Sequence, residues 1–232
     1  MNQPGDYRKK FVAFVDILGF KELVIAAERE PQLLDFIAII MGKLRRTCCE
    51  NPYHGGRITQ FSDCIVMSYN ATEDGLSFLM MNCTLLTTNL IQHGILLRGG
   101  ISVGNLCHDD ELLFGIGMNR AYAFDSSGQP PRISIDQLVL DELPATSRCR
   151  KFIASDEDGS AMCHTLIDFE FYDPTNPKPG MVCWDKPAER ISAWISAQAS
   201  DDRQPDSIRR KYEWLRRYWN RSVKKHGVLP AA

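Results

Sequence analysis

Apolar positions in the first part of the chain follow a period of two. Phe11, Ala13, Val15 and Ile17 alternate with Val12, Phe14 and Asp16, so both faces are apolar until the C-terminal end. That pattern predicts a buried strand. It runs into Leu18-Gly19-Phe20 and a short helix that stops before Pro31. Leu33, Ile37, Ile40, Met41 and Leu44 recur at helical spacing and mark a second helix. A loop from Cys48 to Gly56 precedes two strands, Arg57 to Phe61 and Cys64 to Tyr69, with Ser62-Asp63 at the hairpin tip. Leu76, Leu79, Met80, Cys83, Leu86 and Leu90 form the stripe of a long helix, with Gly94 placed to end it. Ile95 to Val103 reads as a strand, His108-Asp109-Asp110-Glu111 as an exposed turn and Leu112 to Phe114 as a short strand. Met118 to Phe124 reads as a helix and Arg132 to Asp136 as a further strand.

Helices and hairpins alternate irregularly in this order, which excludes a doubly wound parallel sheet. The expectation is an α+β fold of the ferredoxin-like kind with a βααββαββ core. Residues 6–145 are expected to form that core domain, and 146–232 an extension packed on it. The extension is read as a strand over Thr165 to Tyr172, a Pro-rich turn over Asp173 to Gly180 and two closing helices.

Composition adds exclusions. The 232 residues are 44% hydrophobic and 24% charged, ordinary for a globular chain and not for a disordered one. No apolar run is long enough for a membrane span, and Met1 to Asp6 show no secretory signal, so a cytoplasmic location is expected. The eight cysteines include no C-x-x-C pair and are read as reduced thiols rather than a zinc site. The net charge is −2, yet Arg203 to His226 is strongly basic. Ile208, Tyr212, Leu215 and Trp219 fall at helical spacing there, so this segment reads as a basic amphipathic helix docked on an acidic body rather than a nucleic-acid surface.

Two acids stand out by position. Asp16 ends an otherwise apolar strand, before a glycine turn and a helix, and Asp63 sits at a hairpin tip. If the two strands are neighbours, both carboxylates reach one sheet edge, where a divalent cation would relieve their repulsion. The amides of Leu18, Gly19 and Phe20 open a helix, a place that favours phosphate. Carboxylates beside such amides point to a metal–triphosphate site. The same residues would also serve as a plain helix cap and turn, and spacing does not separate these readings.

Several segments carry a family likeness. Phe14-Val15-Asp16-Ile17-Leu18-Gly19-Phe20 resembles the first metal-binding motif of class III nucleotide cyclases, and Phe61-Ser62-Asp63 is similar to their second. Arg98-Gly99-Gly100-Ile101-Ser102-Val103-Gly104 resembles the strand after their central helix. Phe114-Gly115-Ile116-Gly117-Met118-Asn119-Arg120-Ala121-Tyr122 resembles the segment whose asparagine orients the ribose. The likeness covers roughly residues 10 to 136 and is greatest to the Pycsar pyrimidine cyclases of bacterial anti-phage defence.

The resemblance implies that Asp16 and Asp63, with the Ile17 carbonyl, hold two divalent ions, manganese by preference and magnesium as the alternative. It implies that Leu18, Gly19 and Phe20 cradle phosphates, that Phe14 and Thr59 lie near base and ribose, and that Asn119 comes from the other subunit of a homodimer with composite sites. The reaction implied turns UTP, or CTP, into its 3′,5′-cyclic monophosphate and pyrophosphate, a messenger read by a cyclic-nucleotide-responsive effector. Thr59 stands where purine-specific members carry a lysine, and Leu112 stands near their second base-reading residue, which favours a pyrimidine. Ala123 stands where they carry a catalytic arginine, so Arg98, Arg120 or Arg132 is left to supply that charge. A cyclase-fold nucleotide-binding regulator without turnover is the alternative. A diguanylate-cyclase relative would need a Gly-Gly-Asp/Glu-Glu-Phe hairpin, which Gln60-Phe61-Ser62-Asp63 is not.

Overall fold

A computed structural model describes residues 7–125, 129–167 and 188–223. Strand β1 (Arg8–Ile17) is followed by helices α1 (Phe20–Ala27) and α2 (Gln32–Thr47), strands β2 (Arg57–Phe61) and β3 (Cys64–Asn70), and helix α3 (Glu73–Ile91). Then come β4 (Leu97–His108), β5 (Leu113–Phe114), α4 (Ile116–Tyr122), β6 (Ile133–Ile135) and α5 (Gln137–Asp141). Strands β7 (Ile153–Ser155) and β8 (Ala161–Cys163) precede the last two described helices, α6 (Ala188–Ala199) and α7 (Asp206–Val223). The fold is α+β, with the order expected through β6.

The sheet runs β2-β3-β1-β4-β6-β8-β7, with β5 pairing β4 off that path. Strand β1 lies between β3 and β4, antiparallel to both, and β6 joins β4 in parallel. Its alternation divides two layers. Phe11, Ala13, Val15 and Ile17 face the main core under α2 and α3, while Val12 and Phe14 face a smaller cluster with Val66, Leu106 and Ala121 of α4. Helix α3 begins at Thr72, whose hydroxyl accepts the Gly75 N–H at 3.1 Å, and Glu73 and Asp74 in its first turn suit the helix dipole. All six residues of its expected stripe are buried.

Helix α4 lies close on the sheet because its contacts are glycines. A Cβ on Gly104 would meet the Gly117 nitrogen at 2.9 Å. Helix α4 also starts two residues before the expected Met118, at a turn where Gly115 has φ 148 and faces the Asn105 carbonyl too closely for any side chain.

Three expectations need correction. Strand β4 continues through Leu106 and Cys107 to His108, which is buried rather than part of an exposed turn. Thr165 and Leu166 form a turn and Ile167 is helical, so no strand starts there, and the rest of that expected strand and the Pro-rich turn lie outside the described residues. In α7, Ile208 is exposed, and the buried face is Trp214, Leu215, Tyr218 and Trp219, packed with Ile191 and Ile195 of α6. The basic helix does dock on acids: Arg217 pairs with Glu157 at 3.0 Å and Arg221 with Asp156 at 3.4 Å. The seven described cysteines are free, and among the described residues no helix is long and apolar enough to cross a membrane.

Candidate active site

Register brings the first charged residues together. Asp16 is directly opposite Cys64 on β3 and Arg98 on β4. Asp63 precedes Cys64 in the two-residue turn, where Ser62 has φ 51, and its carbonyl accepts the Ile17 N–H at 3.2 Å. The two carboxyls are close enough for each to act on the other's proton. Arg98 stands 3.9 Å from Asp16 and is held at 2.5 Å by Asp125, just beyond α4. One guanidinium therefore faces two carboxylates, with Asp63 beside the first.

The charge imbalance has a titration consequence. Burial first, then the charges of Asp63 and Asp125 and the hydrogen bond that the Asp16 proton makes to Asp63, push the Asp16 carboxyl up to about 7, and Arg98 offsets only part of this. A carboxyl that retains its proton near neutrality between two other carboxylates is a place where a cation would replace that proton. Among the described residues no group of three or more His, Cys, Asp or Glu is arranged as a ready-made metal cage. Hard oxygen donors from one or two carboxylates nonetheless suit an ion that keeps waters or takes phosphate oxygens as its other ligands. The residues therefore fit a substrate-associated divalent ion.

Gly19 begins α1 with φ 79, no side chain caps that helix, and the space where a Cβ would project is open. Such an N-terminus offers backbone amides to an anion. The Leu18 N–H is not among them, because it donates to the Leu96 carbonyl at 2.9 Å. Of the three residues expected to cradle phosphate, Gly19 and Phe20 are left, with the Phe20 ring packed on the main core.

The remaining expected residues are spread over the same sheet face. Phe14 lies in the row next to Asp16, 5% exposed, with its ring edge-on to Tyr122 at 5.1 Å, so it is covered by α4 rather than open. Thr59 is in that same cross-strand row, opposite Val66, and its Oγ1 is 2.9 Å from His108 Nε2. Asn119 is on α4 with its side chain exposed. Near it Ile116, Tyr122 and, on β5, Phe114 are exposed too, and Phe114 stacks on Tyr7 at 5.8 Å. Arg120 donates to the Val103 carbonyl at 3.2 Å, and Arg132 is bound by Asp156 and Asp158, so of the three arginines considered only Arg98 reaches Asp16.

Sequence reasoning missed Asp125 and His108. Asp125 has no periodic signal, since it follows a short helix. His108 borders an acidic run in the sequence, which masks that Leu106-Cys107 before it continue the apolar strand.

No family model and no curated protein matches the chain. Solved structures similar to it include a bacterial light-regulated adenylyl cyclase (TM-score 0.46, 15% identity, 68% of this chain and 51% of that one). Another is a class III adenylyl cyclase-like ATP-binding protein from Pseudomonas aeruginosa (TM-score 0.47, 12% identity, 68% and 38%). A third comes from a structural analysis of adenylate cyclases from Trypanosoma brucei (TM-score 0.47, 13% identity, 70% and 88%). The chain thus spans about half the length of the light-regulated cyclase it matches.

Proposed function

We propose that this chain is a class III-type nucleotide cyclase that converts a pyrimidine nucleoside triphosphate, UTP in preference to CTP, into its 3′,5′-cyclic monophosphate and pyrophosphate. The observation that carries the reading is the gathering of Asp16, Asp63 and Asp125 near Arg98 at the end of β1, just before the uncapped start of α1. Asp16 and Asp63, with the Ile17 carbonyl, hold two divalent ions, manganese by preference. When bound, such ions lower the pKa of the attacking 3′-hydroxyl and neutralise charge on the leaving pyrophosphate. The chain's own part is positioning. The Gly19 and Phe20 amides orient phosphate oxygens, Thr59 meets the base, and Asn119 of a second copy orients the ribose across a homodimer. Cyclisation joins two groups of one molecule, so holding them in line supplies much of the rate. Arg98 is the cation nearest the carboxylates and takes the place of the arginine replaced by Ala123. The product serves as a messenger for a cyclic-nucleotide-responsive effector in anti-phage immunity.

A second reading has one observation in its favour. Arg98, Arg120 and Arg132 all have partners within the chain, which suits a nucleotide-binding regulator without turnover. The test is to incubate the purified chain with each of the four nucleoside triphosphates and Mn²⁺ and to identify products by mass. A cyclic pyrimidine monophosphate with pyrophosphate is expected. Bound but unconverted triphosphate selects the regulator.

A further inference from the structure

His108 is 5% exposed at the end of β4, with its ring against Thr59 and Ser68 on the face that carries Asp16 and Phe14. Its ring is bonded at both nitrogens: Nε2 is 2.9 Å from Thr59 Oγ1 and Nδ1 is 2.8 Å from Ser68 Oγ. Lys10 of β1 and Arg57 of β2 face it with positive charge, against Asp109 on its own strand end. Burial above all, then those two cations, push its pKa down to about 4, so the ring is neutral at neutral pH. A neutral imidazole has one N–H and one acceptor nitrogen. The two bonds must therefore run in opposite senses.

Ser68 decides the sense. It is fully buried, and His108 Nδ1 is the partner its hydroxyl has among the described residues. Were Nδ1 protonated, the Ser68 proton would be buried without an acceptor, which is strongly disfavoured. Ser68 O–H therefore donates to Nδ1, Nε2–H donates to Thr59 Oγ1, and the Thr59 proton is left free to point away from His108. The register places Thr59 two strands across and two residues along from Asp16, roughly 12 Å away on one face.

We infer that His108 is a positioning residue that, by donating to Thr59 Oγ1, frees the Thr59 proton to donate outward, so that the site favours the carbonyl edge of uracil over the amino edge of cytosine. This rests on the proposed cyclase reading, in which Thr59 meets the base. Uracil presents its O4 acceptor to that donor. Cytosine presents an N4 amino group at the same place, which the remaining Thr59 lone pair can accept only while the Thr59 proton goes without its partner, a mismatch worth about tenfold.

Two measurements on the full-length chain test the inference. Nitrogen-15 NMR of the imidazole reads the tautomer without substrate: Nε2 protonated and Nδ1 bare at neutral pH is expected, and the reverse overturns the inference. Kinetics with UTP and CTP, and binding of their non-hydrolysable analogues, read the selection. The parent should favour UTP. Thr59→Val should lose about tenfold of that preference, with the change mostly in KM, and Thr59→Ser should keep it. His108→Gln, which offers an amide donor at the Nε2 position, should keep more of the preference than His108→Leu. Turnover with a preference unchanged in Thr59→Val, or with CTP favoured in the parent, overturns the inference and leaves the cyclase reading standing. If no triphosphate is converted and neither analogue binds, the cyclase reading fails and takes the inference with it.

Discussion

Asp16 and Asp156 are both carboxylates drawn into the protein, with side chains 18% and 3% exposed, yet they are perturbed in opposite directions. Burial also pushes Asp156 up, but the Glu157 amide, the Trp214 indole N–H at 2.9 Å and Arg132 outweigh it and hold the carboxyl below its ordinary value. Asp16 has one distant guanidinium and two carboxylates for neighbours. The acid with the less solvent-exposed side chain is thus the more easily ionised, because its immediate neighbours are donors. At Asp156 the chain completes its own electrostatics and fastens α7 to the loop between β7 and β8. At Asp16 it leaves a deficit of positive charge, next to a helix start and on a face that α4 covers only in part. A structural site closes on itself, whereas a site built for a ligand is complementary to something absent.

The sharpest way to break this contrast is to remove the acids at the open end. Asp16→Ala and Asp63→Ala should each lower turnover by about a thousandfold or more, the several kcal/mol that metal-assisted charge stabilisation contributes. Circular dichroism should be unchanged, and the thermal midpoint of the metal-free variants should match or exceed the parent's, since crowded carboxylates are relieved. Activity within tenfold of the parent would remove Asp16 or Asp63 from the chemistry.

The second test asks whether the open end is completed by another copy. Asn119 is exposed on α4, beside the apolar surface of Ile116, Tyr122 and Phe114. Asp16→Ala and Asn119→Ala chains should be inactive or nearly so alone. A twofold dimer with composite sites gives mixed dimers in which one site carries both defects and the other none. Random mixing should return about a quarter of the parent activity. A mixture that stays inactive while subunit exchange is demonstrated would confine each site to a single chain.

At the closed end the expected outcome is reversed. Asp156→Ala leaves Arg132, whose side chain is 9% exposed, without its buried partner and the Trp214 N–H without an acceptor. Asp158 still pairs Arg132, so loss of about 1–3 kcal/mol of stability is expected in urea unfolding, with activity per folded molecule retained. A midpoint that does not move would mean that the Asp156 contacts add nothing.

What was legible in the sequence divides along the same line. Strand β1, the β2–β3 hairpin and α3 have full periods of apolar residues and could be read from them. The closed end could not: β7 and β8 are three residues each, too short for alternation to register, and Asp156 looks like any turn acid. Asp16 and Asp63 stood out because each interrupts a pattern. Asp125 interrupts none, and its place beside Arg98 comes from α4 lying across β4, a tertiary fact. The α7 stripe was misplaced because that helix packs on α6 and the acidic loop together, which widens its buried arc to Trp214 and Tyr218 and frees Ile208.

His108 offers the smallest and most specific of these tests, because it belongs to neither extreme: a buried base satisfied by hydroxyls and repelled by Lys10 and Arg57. Its pKa is about 4 in the folded chain and near 6.5 when unfolded. Between those values the unfolded state binds more protons than the folded one, so stability falls as pH is lowered from about 6.5 toward 4, by about 3 kcal/mol in all. Asp156 does not contribute in most of that window, since a depressed carboxyl loses its stabilisation only as pH falls below the unfolded value near 3.8. Asp16 contributes in the opposite sense, because a carboxyl held up to about 7 destabilises as pH rises. Comparing the parent with His108→Gln cancels that shared contribution. Urea unfolding at pH 7.5, 6 and 5 should show a parent whose stability declines more steeply than the variant's, even where the variant is less stable at pH 7.5. Parallel declines would mean that His108 takes up its proton in the folded chain as readily as in water, and the neutral bridge between Thr59 and Ser68 would be lost with it.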